Sequence, residues 1–308
     1  MIRSGLSTPA ASLLLRVGVS TRVLFDLEEE HAIFVNKGED AYCALQRERE
    51  ATLLKPGCAF EITRRLLGLN PPSGENRVVV VLLSRNAPDA ALRAFHSCEH
   101  YGLAIAGGSF TSGRSVAPFV AAWGVDLFLS NDDYDVRGVV AAGTAAARLE
   151  PTRQFASHAA SDDVHFVLDG DGVLFGAESD QIFETHGLEC FERHERENAN
   201  IPMAQGPFGH SFLQKLVWLR RICLDEDGSS RVRVSIVTAR SAPAHERVIR
   251  TLRTWGTLLD EAHFVGHNSK TSFVGAAGAC IFFDDREKHV GEASAIVSAG
   301  LVPVLQPQ

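Results

Sequence analysis

The chain has 308 residues, a formal net charge of -8 and no apolar stretch that approaches membrane-spanning length. The acidic balance argues against a nucleic-acid-binding surface, and the short early run LLLRVGV, interrupted by Arg16, does not indicate a signal peptide. The six cysteines include no CxxC pair, so neither a zinc site nor a disulfide framework is predicted. This composition favours a soluble cytoplasmic protein, and the length favours two domains.

The first half of the sequence alternates apolar runs with polar segments, as an α/β chain does. A strand is predicted from Leu13 to Val19, and the apolar run from Val78 to Leu83 predicts a central strand. A link from Glu150 to Ser161 marks the predicted domain boundary. The predicted domains are therefore residues 1–150 and 151–308.

The second half opens on the stretch VHFVLDGDGVLF, Val164 to Phe175. Its apolar start predicts a strand covered on both faces, and this strand ends where Asp169 and Asp171 begin. Ligands of open parallel sheets bind beyond the carboxyl ends of the strands, so both acids are expected to face a crevice. Gly170 and Gly172 allow the backbone to turn sharply there and to approach a ligand closely.

Two later strands of the second half also end in polar residues. The run from Val232 to Thr238 ends in a hydroxyl, and the run from Ala279 to Phe283 is followed directly by Asp284 and Asp285. Lys270 lies between the two runs. Four carboxylates that converge on one crevice repel one another unless a cation neutralises them, and magnesium prefers such oxygen ligands.

In this order, these features resemble the motifs of the haloacid dehalogenase (HAD) superfamily. The resemblance implies a HAD-like Rossmannoid α/β fold with a parallel sheet, in which Asp169 attacks phosphorus and forms an aspartyl-phosphate. It implies that Asp171 is the general acid and base, while Thr238 and Lys270 hold the phosphoryl oxygens. The implied Mg²⁺ site consists of Asp169, Asp171 through its carbonyl, and the pair Asp284 and Asp285.

The segment from residue 176 to residue 231 lies between the loop that carries Asp169 and Asp171, here called the nucleophile loop, and Thr238. It is longer than a single crossover helix needs. Such an insertion is expected to form a cap that excludes water and recognises the leaving group. The candidate substrate contacts are Asn198, Asn200 and Gln205 in the cap and Gly170, Arg240 and Ser241 in the core. The three amides are equally well explained as ordinary surface-loop residues.

The two halves of the sequence also resemble each other, which predicts an internal duplication. The triplet VLF follows the first strand of each half, and "GVDLFLSN" in the first half aligns with "GACIFFDD" in the second. This alignment pairs Val19 with Asp169, Thr21 with Asp171, Ser130 with Asp284, and Asn131 with Asp285. The first half is therefore predicted to be a degenerate HAD-like half that binds no metal and serves packing or regulation.

Seven segments carry a narrower resemblance. They are HYGL, FDLEEEH, LDGDGVLF, ENANIPMAQGP, VTARSAP, TLRTWG and IFFDDR. Together they resemble the cytosolic 5'-nucleotidase type I family, the AMP-preferring nucleotidases, over about residues 17–290. The resemblance implies magnesium-dependent hydrolysis of nucleoside 5'-monophosphates, with no nucleic-acid or membrane partner. Two alternatives stay open, a HAD phosphatase for sugar phosphates and a nucleotide-binding sensor without turnover, as does assembly into a homo-oligomer.

Overall fold

The computed structural model describes residues 14–150, 162–257 and 259–304. The predicted strand start at Leu13 and most of the predicted link from Glu150 to Ser161 lie outside the described residues. Each of the six cysteines is a free thiol. No helix in the described ranges combines the length and the apolar character that crossing a membrane would require.

In the first half, short strands alternate with helices, and β1 and β4 confirm the two strands predicted there. The strands are β1 (Leu15–Val19), β2 (Phe25–Asp26), β3 (Lys55–Pro56), β4 (Val78–Ser84), β5 (Gly108–Phe110), β6 (Leu127–Ser130) and β7 (Ala145–Leu149). The helices are α1 (Thr21–Leu24), α2 (Glu28–Lys37), α3 (Glu39–Glu48), α4 (Phe60–Leu67), α5 (Ala91–His100), α6 (Ala117–Trp123) and α7 (Asp133–Ala141). A single 3-10 turn at Pro88–Ala90 precedes α5.

The second half repeats this alternation, and β8, β9 and β11 confirm the three strands predicted around the candidate site. The strands are β8 (Val164–Leu168), β9 (Val232–Thr238), β10 (Glu261–Phe264), β11 (Ile281–Asp284) and β12 (Ser298–Leu301). The helices are α8 (Glu178–Glu197), α9 (His210–Ile222), α10 (His245–Trp255), α11 (Lys270–Ala277) and α12 (Glu287–Ala293). Helix α8 is broken at Gly187, whose φ of 77° is not helical.

Ten strands form one sheet in the described part of the chain, in the order β10-β9-β8-β11-β12-β7-β6-β1-β4-β5. Neighbouring strands run parallel except β12 and β7, which pair antiparallel in the middle of the sheet. The carboxyl ends of the first-half strands therefore lie at the opposite edge of the sheet from those of the second half. The predicted α/β class with a largely parallel Rossmannoid sheet is confirmed.

Outward from the antiparallel pair, the two halves have the same strand order. The first half continues β7-β6-β1-β4-β5, and the second continues β12-β11-β8-β9-β10. In each half, the strand that comes first in sequence lies third from the centre. This common topology supports the duplication that the sequence predicts.

Backbone hydrogen bonds identify equivalent residues and correct one predicted pair. The N–H of Ser20 donates to Leu129 O at 2.9 Å, and the N–H of Asp169 donates to Phe283 O at 2.8 Å. Because Leu129 and Phe283 are the third residues of β6 and β11, Ser20 is the counterpart of Asp169. The prediction that paired Val19 with Asp169 was wrong, since Val19 is the last residue of β1.

The match of the two VLF triplets is correct, and the difference lies in the turn before them. The carbonyl of Val23 accepts from Ala59 N at 2.7 Å, and that of Val173 accepts from Phe208 N at 2.9 Å. Two residues separate Ser20 from Val23, whereas three separate Asp169 from Val173. The first-half turn is therefore one residue shorter, so Thr21 is not the direct counterpart of Asp171. The same register supports the following pairs: Ser84 with Thr238, Ser130 with Asp284, Asn131 with Asp285, and Val116 with Lys270.

One hydrophobic core runs along one face of the sheet through both halves. Helices α4, α5, α9 and α10 bury apolar side chains in it, for example Ile62 in the first half and Leu216 in the second. On the other face, α6 and α7 cover the first half, while α11 and α12 cover the second. The boundary near residue 150 therefore separates two halves of one sheet that share a core.

The predicted cap, residues 176–231, consists of two different parts. Phe212, Leu216 and Leu219 of α9 are buried in the shared core, so α9 is the crossover helix that leads into β9. Helix α8 instead carries Phe191, whose ring lies 5.4 Å from the Arg240 guanidinium carbon beyond the end of β9. The segment that can cover the crevice is therefore shorter than predicted and ends before α9.

Candidate active site

Strands β9, β8 and β11 are adjacent in the sheet, and their carboxyl ends meet at one edge. Thr238 and Asp284 are the last residues of β9 and β11, and Asp169 follows β8 directly. All three side chains are buried. The structure thus brings together residues that lie more than a hundred positions apart in the sequence.

Lys270 lies between two of the acids. Its Nζ is 2.7 Å from Asp169 Oδ2 and 2.7 Å from Asp284 Oδ2, and its side chain is only 5% exposed. His289, on the following helix α12, places its Nδ1 3.1 Å from Asp284 Oδ2. The sequence gave no reason to expect this contact. A buried ammonium is tolerated only with paired charges, and the two carboxylates provide them.

Burial and mutual repulsion disfavour charge on Asp169 and Asp285, whereas His289 and Lys270 outweigh burial and lower the pKa of Asp284. Burial raises the pKa of Asp169 well above its usual value and Asp284 raises it further, while Lys270 acts in the opposite direction. Burial and the neighbouring Asp284 also raise the pKa of Asp285 to about 7. Burial by itself would lower the pKa of Lys270, but Asp169 and Asp284 together raise it. Additional positive charge would therefore be favourable at this place.

Three carboxylates could hold that charge as a bound metal ion. Asp169, Asp284 and Asp285 each offer an oxygen, and these oxygens lie within 4.8 Å of one another. Asp285 Oδ1 is buried and has no hydrogen-bond partner in the described structure. Three hard oxygen donors with one unpartnered oxygen suit Mg²⁺. Asp171 was predicted to contribute its backbone carbonyl, and that prediction is independent of this group of side chains, to which the Asp171 carboxylate does not belong.

Glycine is required where the nucleophile loop passes the acidic pair. Gly172 has a φ of 74°, and a Cβ at this position would lie 2.5 Å from Asp285 Oδ2. A Cβ on Gly170 would lie 3.1 Å from Thr238 Oγ1. Both glycines therefore permit the close approach of three strand ends, and the positive φ of Gly172 fits the sharp turn that the sequence predicted.

The carboxylate of Asp171 is held by Arg240. The Nε and Nη2 atoms of Arg240 donate to the two oxygens of Asp171, each at 2.7 Å. Arg240 Nη1 also donates to Glu195 of α8, whose carboxylate is fully buried and accepts from Arg247 at 2.9 Å and from Ser179 at 2.8 Å. Arg240 was predicted to contact substrate, but the structure directs its guanidinium to Asp171 and the cap helix. Glu195 and Arg247 were missed, since no motif or spacing marks them.

The predicted amides occupy different environments. Asn198 donates to the His194 carbonyl at 2.9 Å at the end of α8, and Asn200 pairs with Arg250 on the protein surface. Ser241 is also exposed. Gln205 instead lines a cavity of about 440 Å³ next to Gly172. Among the three cap amides, Gln205 is therefore the one adjacent to the nucleophile loop.

The 440 Å³ cavity combines residues of both halves. Its second-half lining includes Phe175, Gln181 and Gln205, and the turn between α7 and β7 contributes Gly143 and Thr144. This turn belongs to the first half, but the antiparallel pairing of β7 and β12 brings it to the edge where the second-half strands end. The volume is within the range of small-molecule sites.

A largely parallel α/β sheet, with a DxD loop beyond one strand and a Thr, a Lys and an acidic pair at the neighbouring strands, is consistent with the HAD-like class of proteins. A sequence model described as 5'-nucleotidase matches residues 7–308. The chain therefore belongs to the 5'-nucleotidase family. It is 28% identical over 299 residues to cytosolic 5'-nucleotidase 1B of Homo sapiens, an alignment that covers 94% of this chain and 49% of the relative. The chain thus spans about half the length of that relative.

Proposed function

We propose that this protein is a magnesium-dependent 5'-nucleotidase that hydrolyses nucleoside 5'-monophosphates to nucleoside and phosphate. The observation that carries the proposal is the group of Asp169, Lys270 and Asp284, all buried, with the partly exposed Asp285, which lies at the same edge as Thr238. Membership of the 5'-nucleotidase family and the name of the human relative support the substrate class. The relative's name and the six free cysteines also support a cytoplasmic location.

In the proposed reaction, a carboxylate oxygen of Asp169 attacks phosphorus, and the bond from phosphorus to the nucleoside oxygen breaks. Asp171 gives its proton to that oxygen. Water then attacks the phosphorus of the aspartyl-phosphate and loses its proton to Asp171, which releases phosphate and restores both aspartates. Thr238 and Lys270 donate hydrogen bonds to the phosphoryl oxygens.

Asp169, Asp284 and Asp285 would hold the metal ion, since their oxygens already converge. Bound magnesium supplies positive charge that offsets both the acids and the phosphoryl group. Lys270 supplies the same sign of charge from the protein side, where its Nζ already bridges two of the acids. The site is thus built around carboxylates whose charge is compensated from both directions.

Arg240 acts as a positioning residue for Asp171 in this proposal. Its bidentate contact fixes the carboxylate plane, and Glu195 fixes Arg240 from helix α8. The orientation of the acid-base residue therefore depends on the cap being in place. Such a link lets substrate binding under the cap and proton transfer in the core proceed together.

The nucleoside part is proposed to occupy the 440 Å³ cavity beside Gly172. Phe175 offers an apolar surface there, while Gln181 and Gln205 offer donors and acceptors for a base or a ribose. Thr144 extends this surface from the first half. The first half would then complete the substrate pocket without supplying any reacting group.

The proposal is tested by phosphate release from a panel of nucleoside 5'-monophosphates and sugar phosphates, with magnesium and with a chelator. We expect activity on nucleoside monophosphates that disappears in chelator and returns with magnesium. A preference for sugar phosphates would reassign the substrate, and full activity in chelator would contradict the metal-dependent mechanism. Trapping a phosphorylated Asp169 by rapid acid quench and peptide mass spectrometry tests the covalent intermediate directly.

A further inference from the structure

The first half contains a cavity of about 290 Å³ at the carboxyl ends of its own strands, the first-half cavity. Its floor consists of the ends of β1, β4 and β6 and the turns that follow them. The floor residues are Ser20, Thr21, Arg22, Ser84, Arg85, Asn86, Ser130 and Asn131. The cavity thus occupies the position in the first half that the acid cluster occupies in the second. It opens at the opposite edge of the sheet, so it is separate from the candidate active site.

Two donors in this floor are buried without a partner. Ser20 is 8% exposed, and its Oγ has no hydrogen-bond partner in the described structure. Arg22 Nε is likewise buried and unpartnered, although its Nη2 reaches the exposed Glu28 at 2.8 Å. Unsatisfied buried polar groups are costly, so their persistence at one place points to a ligand that satisfies them. Ser20 stands where the catalytic half has its nucleophile.

The chemistry of the floor suits a phosphate group that needs no metal. The acids Asp169, Asp284 and Asp285 are replaced here by Ser20, Ser130 and Asn131, so the carboxylates that would repel phosphate are absent from these positions. Hydroxyl and amide donors remain, together with the guanidinium of Arg22.

The other charged groups of the lining contact one another, although Asp135 Oδ1 is buried without a hydrogen-bond partner in the described structure. Arg85 pairs with Asp132 and lies 3.3 Å from Asp135. Burial raises the pKa of Asp135 to about 6, which favours its neutral form at mildly acidic pH. The remaining acid of the lining, Glu39, belongs to the far wall on α3.

The opposite wall of the cavity is aromatic. The rings of His31 and Phe34 stack with centroids 6.2 Å apart, and Tyr42 meets Phe34 edge-on at 6.0 Å. Phe34 is 45% exposed, which is unusual for a side chain of this size. An apolar ring surface above a floor of phosphate donors matches a ligand with a planar ring at one end and a phosphate at the other.

We propose that the first-half cavity binds a phosphate monoester that carries a planar ring, without metal and without hydrolysing it. Ser20, Arg22 and the neighbouring hydroxyls hold the phosphate, and Phe34 contacts the ring. Hydrolysis does not follow, because no carboxylate nucleophile stands at the position of Ser20. The first half therefore contains a second ligand site that the catalytic proposal does not require.

The test measures binding by calorimetry on the full chain in a chelator, where the acid cluster of the second half has no metal to attract phosphate. The probes are adenosine 5'-monophosphate, adenosine and inorganic phosphate. We expect one site for the monophosphate, weaker binding of phosphate and no binding of adenosine. Equal affinity for adenosine and its monophosphate, or no binding of the monophosphate, would overturn the proposal.

Three variants assign the site. Ser20→Ala should weaken the monophosphate about tenfold, because a hydrogen bond to a charged group is lost, while the melting temperature without ligand stays the same. Asn131→Asp should weaken it at least about tenfold by charge repulsion. Asp285→Asn, the matched change in the second half, should leave this affinity unchanged.

If Asp285→Asn alters the affinity and Ser20→Ala does not, the ligand occupies the catalytic crevice and the inference fails. Since no turnover is measured, this outcome is independent of the proposed nucleotidase activity.

Discussion

The two halves of this protein share a topology and differ at a few strand-end positions. Where the second half has Asp169, Asp284 and Asp285, the first has two serines and an asparagine, and where the second has Lys270, the first has Val116. The acids and the lysine that neutralises them are thus absent together. Without Asp169 and Asp284, a buried lysine would have no partner, so an apolar residue is the stable choice.

The difference shows how one sheet architecture can support two kinds of site. In the second half, the clustered carboxylates favour a bound cation, and one of them, Asp169, is the proposed nucleophile. In the first half, neutral donors occupy the same positions, and the proposed role of this crevice is to bind a ligand without reacting with it. The antiparallel join places the two crevices at opposite edges of the sheet, so each can change without altering the other.

The largest expected effect is on turnover in the second half. Asp169→Asn keeps the shape of the side chain but cannot attack phosphorus, so we expect phosphate release to fall at least about 10⁴-fold. Asp26→Asn, an exposed change in the first half, is the control and should keep full activity. Near-normal release by Asp169→Asn, or a comparable loss in Asp26→Asn at unchanged stability, would end the division of roles between the halves.

The second largest expected effect is on stability, which Lys270→Met should lower. It leaves Asp169 and Asp284 buried without their ammonium partner, which typically costs about 3–5 kcal/mol of unfolding free energy. Urea unfolding in chelator measures the loss, and added magnesium should restore part of it. The exposed Lys288→Met is the matched control. Equal stability of the two variants would show that the acids do not carry charge in the folded protein.

In the first half, the expected electrostatic effect has the opposite sign. Burial raises the pKa of Asp135 from 3.8 to about 6, so the unfolded chain releases this proton first: the cost in stability is absent below about 4, grows as the pH rises to about 6 and is constant above that. Asp135→Asn should therefore become more stable than the wild type by about 2 kcal/mol between pH 4 and 7, since solvent screens part of the full effect. Urea unfolding across this pH range provides the comparison, and parallel pH profiles would contradict it.

Arg240→Lys should affect the rate more than the affinity. Lysine cannot make the bidentate contact that orients Asp171, so we expect kcat to fall about 10- to 100-fold with little change in KM. Arg250→Lys on helix α10 is the surface control. A rise in KM with unchanged kcat would instead support the direct substrate contact that the sequence suggested for Arg240.

The smallest expected effect separates the cap amides. Gln205→Ala should change the relative kcat/KM values of purine and pyrimidine monophosphates by about 1–2 kcal/mol, because Gln205 lines the cavity beside the nucleophile loop. Asn200→Ala should leave this ranking unchanged, since Asn200 pairs with Arg250 on the surface. The same ranking in both variants would place base recognition elsewhere.

The sequence by itself determined the elements that local patterns specify. Continuous apolar runs that end in polar residues predicted β1, β4, β8, β9 and β11, because a strand buried on both faces admits few polar side chains. The same strand ends marked Asp169, Thr238 and the acidic pair as candidate site residues, since parallel strands present their carboxyl ends at one edge. The match of the two VLF triplets also survived in the backbone hydrogen bonds.

Only the tertiary structure decided the arrangements that depend on distant contacts. The one-residue difference between the two turns could be seen in the strand register but not in the sequence. An apolar residue such as Val19 is compatible both with the last position of a strand and with the position just after it. Arg240 contacts Asp171 because Glu195, more than forty residues earlier on α8, holds its other side. The position of α9 in the shared core, and the join of β7 to β12 that turns the two halves in opposite directions, likewise follow from packing across the whole sheet.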